Sequence, residues 1–168
     1  SQDGATTTDL ETPPAYLTGG KPTFGTPHEQ RIWAGGNTND PHRIYYTMPT
    51  NHESYTGAGS GSISIYPGEG EKLVGAISFK GLLIAFKYPV GIYAIDTTSP
   101  SVANWRVNKV SGTVGLANEN AFAEMTDDYL AILTPNADVR VVSASDVFGK
   151  FTAPSLTDHR YMNEFMRR

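Results

Sequence analysis

The chain has no cysteine. That absence excludes disulfides, thiolate nucleophiles and Cys-type zinc sites together. No apolar run approaches the ~18 residues a membrane-crossing helix needs, so no membrane span is expected. Charge is sparse. Asp, Glu, Lys and Arg make up 18% of the residues, against about a quarter in an average soluble domain. Positive charge is the scarcer sign, with 13 Lys and Arg against 17 Asp and Glu and a net charge of -4. That balance makes a poor phosphate-neutralising surface and argues against nucleic acid as the main partner. A phosphate loop of the GxxxxGKS type and a GxSxG nucleophile elbow are both missing. The chain starts Ser1-Gln2-Asp3 without Met or an apolar leader, and so reads as processed or as cut from something longer.

What the chain does have is glycine, proline and aromatic residues. Its 17 Gly and 11 Pro call for many turns and disfavour long helices. Its 9 Tyr and 7 Phe favour strands. The expected fold class is therefore all-β. Residues 1–30 are broken by Thr6-Thr7-Thr8, Pro13-Pro14, Gly19-Gly20, Pro22 and Pro27, and read as an extended N-terminal arm. From Arg31 onward, short apolar runs alternate with turn residues. They predict strands at 31–35, 43–47, 62–66, 73–79, 82–87, 91–96, 105–110, 121–125, 129–134 and 138–142. Residues 31–145 read as one β-repeat domain and residues 146–168 as a C-terminal segment. Two runs, LLIAF at 82–86 and YLAIL at 129–133, are apolar at every position. Both are expected to be covered on both faces.

The runs repeat. Residues 82–95 lie over residues 129–142 without a gap, at an offset of 47. Each copy reads as a turn, five mostly apolar residues, a Pro-containing turn and a second strand. Ala76 and Ala123 keep the same offset. RIWAG and RIYYT form a looser third copy with a longer polar loop. A period in the mid-forties with about four short strands is the pattern of a β-propeller blade. A β-sandwich or a plain meander is the other reading of the same pattern. Ten candidate strands make only two and a half to three blades, below the ~4–8 of a closed propeller. Open edges and an uncovered apolar face would follow, and both associate.

The stretches RIWAGGNTNDPHRIYYTMPTNHESY, GLLIAFKYPVGIYAID and NWRVNKVSGTVGLANENAFAEMTDDYLAILTPNADVRVV resemble virion structural proteins of tailed bacteriophages. In that family, propeller-like blades build tail nozzles, hubs and head-to-tail connectors. The resemblance spans about residues 31–142. It implies a structural, multi-copy role in the phage particle without catalysis, with other virion proteins or copies of the chain itself as partners. It also allows DNA to pass through a conduit without specific binding. Glu69, Glu71, Asp127 and Asp128 would then keep DNA from adhering.

Candidate chemistry is thin. His42 near Asp40 and His52 beside Glu53 match no metal-ligand spacing. Asp127-Asp128 and Glu69/Glu71 read as turns more simply than as paired catalytic acids. No catalytic residue, metal site or cofactor is expected. Aromatic residues are more informative. Trp33 and Trp105 would stack on sugar rings if the module were a carbohydrate-binding, lectin-like propeller. Packing between blades is the plainer role for such rings. At the C-terminus, residues 158–168 predict a short helix with Tyr161, Met162, Phe165 and Met166 on one face. Tyr161, Phe165, Arg167 and Arg168 are its candidate partner contacts.

Overall fold

The computed structural model describes residues 21–126 and 129–143. Two pairs of residues with positive φ set the first hairpins: Glu29 and Gln30 (45° and 60°), and Lys80 and Gly81 (53° and 76°). Two-residue turns of this hand match the right-handed twist of antiparallel strands and join neighbours directly. The strands they join are β1 (Phe24–His28) with β2 (Arg31–Gly35), and β5 (Lys72–Phe79) with β6 (Leu82–Tyr88). The first sheet continues through β3 (Arg43–Tyr46) and β4 (Gly61–Ser64). The middle sheet continues through β7 (Ile92–Asp96) and β8 (Arg106–Ser111), with a 3-10 turn at Val102–Asn104 between them. A third sheet holds β9 (Phe122–Thr126), β10 (Tyr129–Leu133) and β11 (Val139–Ser143). All three are antiparallel meanders in chain order, and none closes on itself. The protein is all-β, as expected.

The sequence repeat is a structural repeat. β10 and β11 begin 47 residues after β6 and β7. In β6, alternate side chains point to opposite faces. Leu82, Ile84 and Phe86 enter a core shared with Leu130, Ile132 and Val142 of the third sheet. Leu83 and Ala85 enter a separate core with Trp33, Ile44 and Tyr46 of the first sheet. The middle sheet is therefore covered on both faces, which is what the unbroken apolar run LLIAF requires. Each large apolar side chain buried this way is worth about 1.5–3 kcal/mol.

Two expectations are corrected. YLAIL is covered on one face only. Leu130 and Ile132 are buried, whereas Tyr129 is 47% and Leu133 38% exposed. No further sheet lies beyond the third among the described residues. The first strand also begins earlier than expected, at Phe24, inside the stretch read as an arm. Gly25 and Pro27 hid it. β1 lies at the edge of its sheet, where a proline costs no ladder hydrogen bond. The predicted helix at 158–168 and the Asp127-Asp128 turn lie outside the described residues. None of the described helices is long and apolar enough to cross a membrane.

Candidate functional site

Polar side chains are concentrated where sheets meet. His28, at the end of β1, is buried. Its Nδ1 lies 2.8 Å from Ser78 Oγ on β5, and its Nε2 lies 2.9 Å from Thr97 Oγ1 after β7. Thr97 Oγ1 donates to Glu29 Oε2 at 2.7 Å. Burial holds the His28 pKa below its ordinary value, and the Glu29 carboxylate only partly opposes that. The group ties the first sheet to the middle one.

Nearby, Trp33, Tyr46 and Trp105 form one ring cluster. The Trp33 centroid lies 4.9 Å from that of Tyr46 and 5.5 Å from that of Trp105. The Arg31 guanidinium sits over Tyr46 and Trp105 and donates to the Thr47 and Gly59 carbonyls. Trp33 is 0% exposed. Its ring faces are therefore occupied by packing, and the sugar-stacking role read for Trp33 and Trp105 would need faces that Trp33 does not present.

Lys87 shares the inward face of β6 with Leu83 and Ala85, and it is fully buried. Its ammonium donates to the Tyr66 carbonyl at 2.7 Å, the Glu69 carbonyl at 2.6 Å and His42 Nδ1 at 3.2 Å. Burial pushes its pKa down to about 8, against the pull of Glu69. Tyr93 donates to Glu69 Oε2, and burial with that carboxylate pushes its phenol up to about 12. Glu69 is held below the usual carboxylate range, chiefly by the Lys109 ammonium at 2.5 Å. The whole set fastens the 66–70 loop onto the middle sheet. His42 is likewise held low, first by burial and then by Lys87.

Two hollows accompany these seams. One, of about 280 Å³, lies where the inner strands converge, between Thr23–Gly25, Gly75–Ala76 and Phe122. The other, of about 390 Å³, lies between the β6–β7 turn and the β10–β11 turn, and is lined by Val90, Gly115, Asn136 and Arg140. Arg140 is already paired there with Asp138 at 2.8 Å. Every buried side-chain nitrogen or oxygen among the described residues has a hydrogen-bond partner.

The third sheet differs from the other two. On its outer side Met125 (55%), Tyr129 (47%) and Leu133 (38%) are exposed. Ala131, Val139 and Val141 lie beside them across the β10–β11 ladder. This is an open apolar sheet face of the kind that marks an interaction site. The partner-contact residues read from the sequence, Tyr161, Phe165, Arg167 and Arg168, lie outside the described residues. Of the acidic set, Glu69 is engaged with Lys109 and Tyr93, and Glu71 is exposed. Sequence reasoning missed His28, Ser78, Thr97 and Lys87. Lys87 had a usable signal, since a lysine in phase with Leu83 and Ala85 points inward. No family model matches the chain, and no curated protein matches it.

Proposed function

We propose that the chain is a structural component of a tailed-phage virion, in the tail or head-to-tail region, acting by protein–protein assembly and not by catalysis. The observation that carries this reading is the open end of the stack. Among the described residues, three meanders lie side by side without closing, and the last presents an uncovered apolar face. Closed domains avoid such a face because it associates. The polar groups that could do chemistry support the same reading. His28 and Lys87 are engaged in hydrogen bonds that hold sheets together. The sequence resemblance supplies the phage setting.

The test is the particle itself. Antibodies raised against the chain should mark the tail or neck of purified virions, and mass spectrometry should find it among the particle proteins in several copies. A chain found only in the soluble lysate and never in particles overturns the reading.

A further inference from the structure

The repeat shows what kind of surface covers a sheet like the third one. Leu82, Ile84, Phe86, Ile92 and Ala94 are among the middle-sheet residues that hold the third sheet, and none is more than 7% exposed. Forty-seven positions on stand Tyr129, Ala131, Leu133, Val139 and Val141. All five are apolar, and their side chains share the outer side of the third sheet. The third sheet thus repeats outward the surface by which the middle sheet binds a neighbouring sheet. Its occupant should be another sheet of this kind, continuing a contact already made twice within the chain.

A second copy of the chain can offer such a sheet in only one place among the described residues. At the opposite end of the stack, Ala34 and Tyr45 pair across β2 and β3, out of phase with Trp33 and Tyr46. They are already 4% and 1% exposed. The third-sheet face is the one left open. None of its five repeat positions carries charge, so two such faces can meet without opposing like charges. From these observations we infer that two copies pair through the outer faces of their third sheets, in an isologous two-fold contact. This rests on the assembly reading above and names its partner and surface. Three short strands make a small face, so the pairing is expected to depend on concentration.

The experiment is sedimentation equilibrium of the 168-residue chain from roughly 1 to 300 µM, a range that brackets micromolar affinity. Leu133→Asp and Val141→Asp are compared with Val102→Asp, an exposed apolar control on the 3-10 turn. Circular dichroism melts establish that each variant folds. The expected result is a dimer weakened at least ~10-fold by either third-sheet variant, about 1.4 kcal/mol, and unchanged by the control. Because the chain has no cysteine, Ala131→Cys gives a second readout that leaves the apolar rim intact. Mild oxidation should trap a covalent dimer through the centre of the face. Wild type that stays monomeric throughout, or a dimer indifferent to Leu133→Asp and Val141→Asp, overturns the pairing. Neither outcome touches the virion reading, which stands or falls on the particle.

Discussion

His28 Nε2 lies 2.9 Å from Thr97 Oγ1, and that contact fixes which ring nitrogen carries the proton. The Thr97 hydroxyl has one proton, and it goes to Glu29 Oε2. Thr97 must therefore accept from His28, so Nε2 is protonated and Nδ1 accepts from Ser78. Nitrogen-resolved NMR at neutral pH should show His28 as the Nε2–H tautomer. The Nδ1–H form, or an imidazolium, would contradict the arrangement.

The same residue sets an acid limit. Its folded pKa lies below the unfolded value of 6.5. The unfolded chain therefore binds the proton first, and stability falls as pH drops below about 6.5. His42 is shifted the same way and adds to the effect. Urea midpoints measured at pH 7 and pH 5 should differ, and His28→Gln should reduce the difference. His28→Ala should cost about 2–3 kcal/mol at pH 7, through lost packing and the loss of its hydrogen bonds to the Ser78 and Thr97 hydroxyls.

Lys87 sets a slope of the same sign at alkaline pH. Its pKa falls from 10.5 unfolded to about 8 folded. Between those values the unfolded chain holds the extra proton, so stability from this group rises with pH from about 8 toward 10.5. At about 1.4 kcal/mol per unit, the gain is capped near 3 kcal/mol. Tyr93, raised from 10.0 to about 12, works against it above pH 10, because the unfolded phenol loses its proton first. A denaturation series from pH 7 to 10 should show the rise in wild type and a flat response in Lys87→Met. That variant should also be less stable at pH 7, since it removes the ammonium that donates to the Tyr66 and Glu69 carbonyls.

Gly115 and Gly68 should respond differently to alanine. A Cβ on Gly115 would run into the Lys87 and Pro89 carbonyl oxygens and Val90 Cα. Backbone cannot rotate away, so Gly115→Ala should cost more than about 2 kcal/mol or prevent folding. At Gly68 nothing lies within 4 Å, and only its φ of +87° resists a side chain. Gly68→Ala should cost about 1 kcal/mol. Thermal melts of the two variants check the contrast.

The two tryptophans give an optical test of the ring cluster. Trp33 is fully buried and Trp105 half-buried. Trp105→Phe should leave a blue-shifted emission from Trp33, and Trp33→Phe should leave a redder one. Trp33→Ala should cost about 3–5 kcal/mol, because it opens a cavity at the centre of the first core.

Much of this fold was legible before any coordinates. Alternation and turn residues placed ten of the eleven described strands, and the offset of 47 joins β6 and β7 to β10 and β11. β1 was missed because Gly25 and Pro27 interrupt its pattern, and only its edge position makes that harmless. The candidate site was less legible. His28 fell within the stretch read as an arm, and its partners stand 50 and 69 residues away. Long-range pairs of that kind leave no local periodicity.

The sequence by itself determined the strands, their faces and their repeat, because side-chain alternation and turn chemistry act over a few residues. Tertiary structure decided what lies across each face. LLIAF and YLAIL are equally apolar, yet Leu82 is 7% exposed and Tyr129 47%. The difference is whether another sheet packs on that side. Burial is a property of two surfaces, and one strand's sequence specifies only its own.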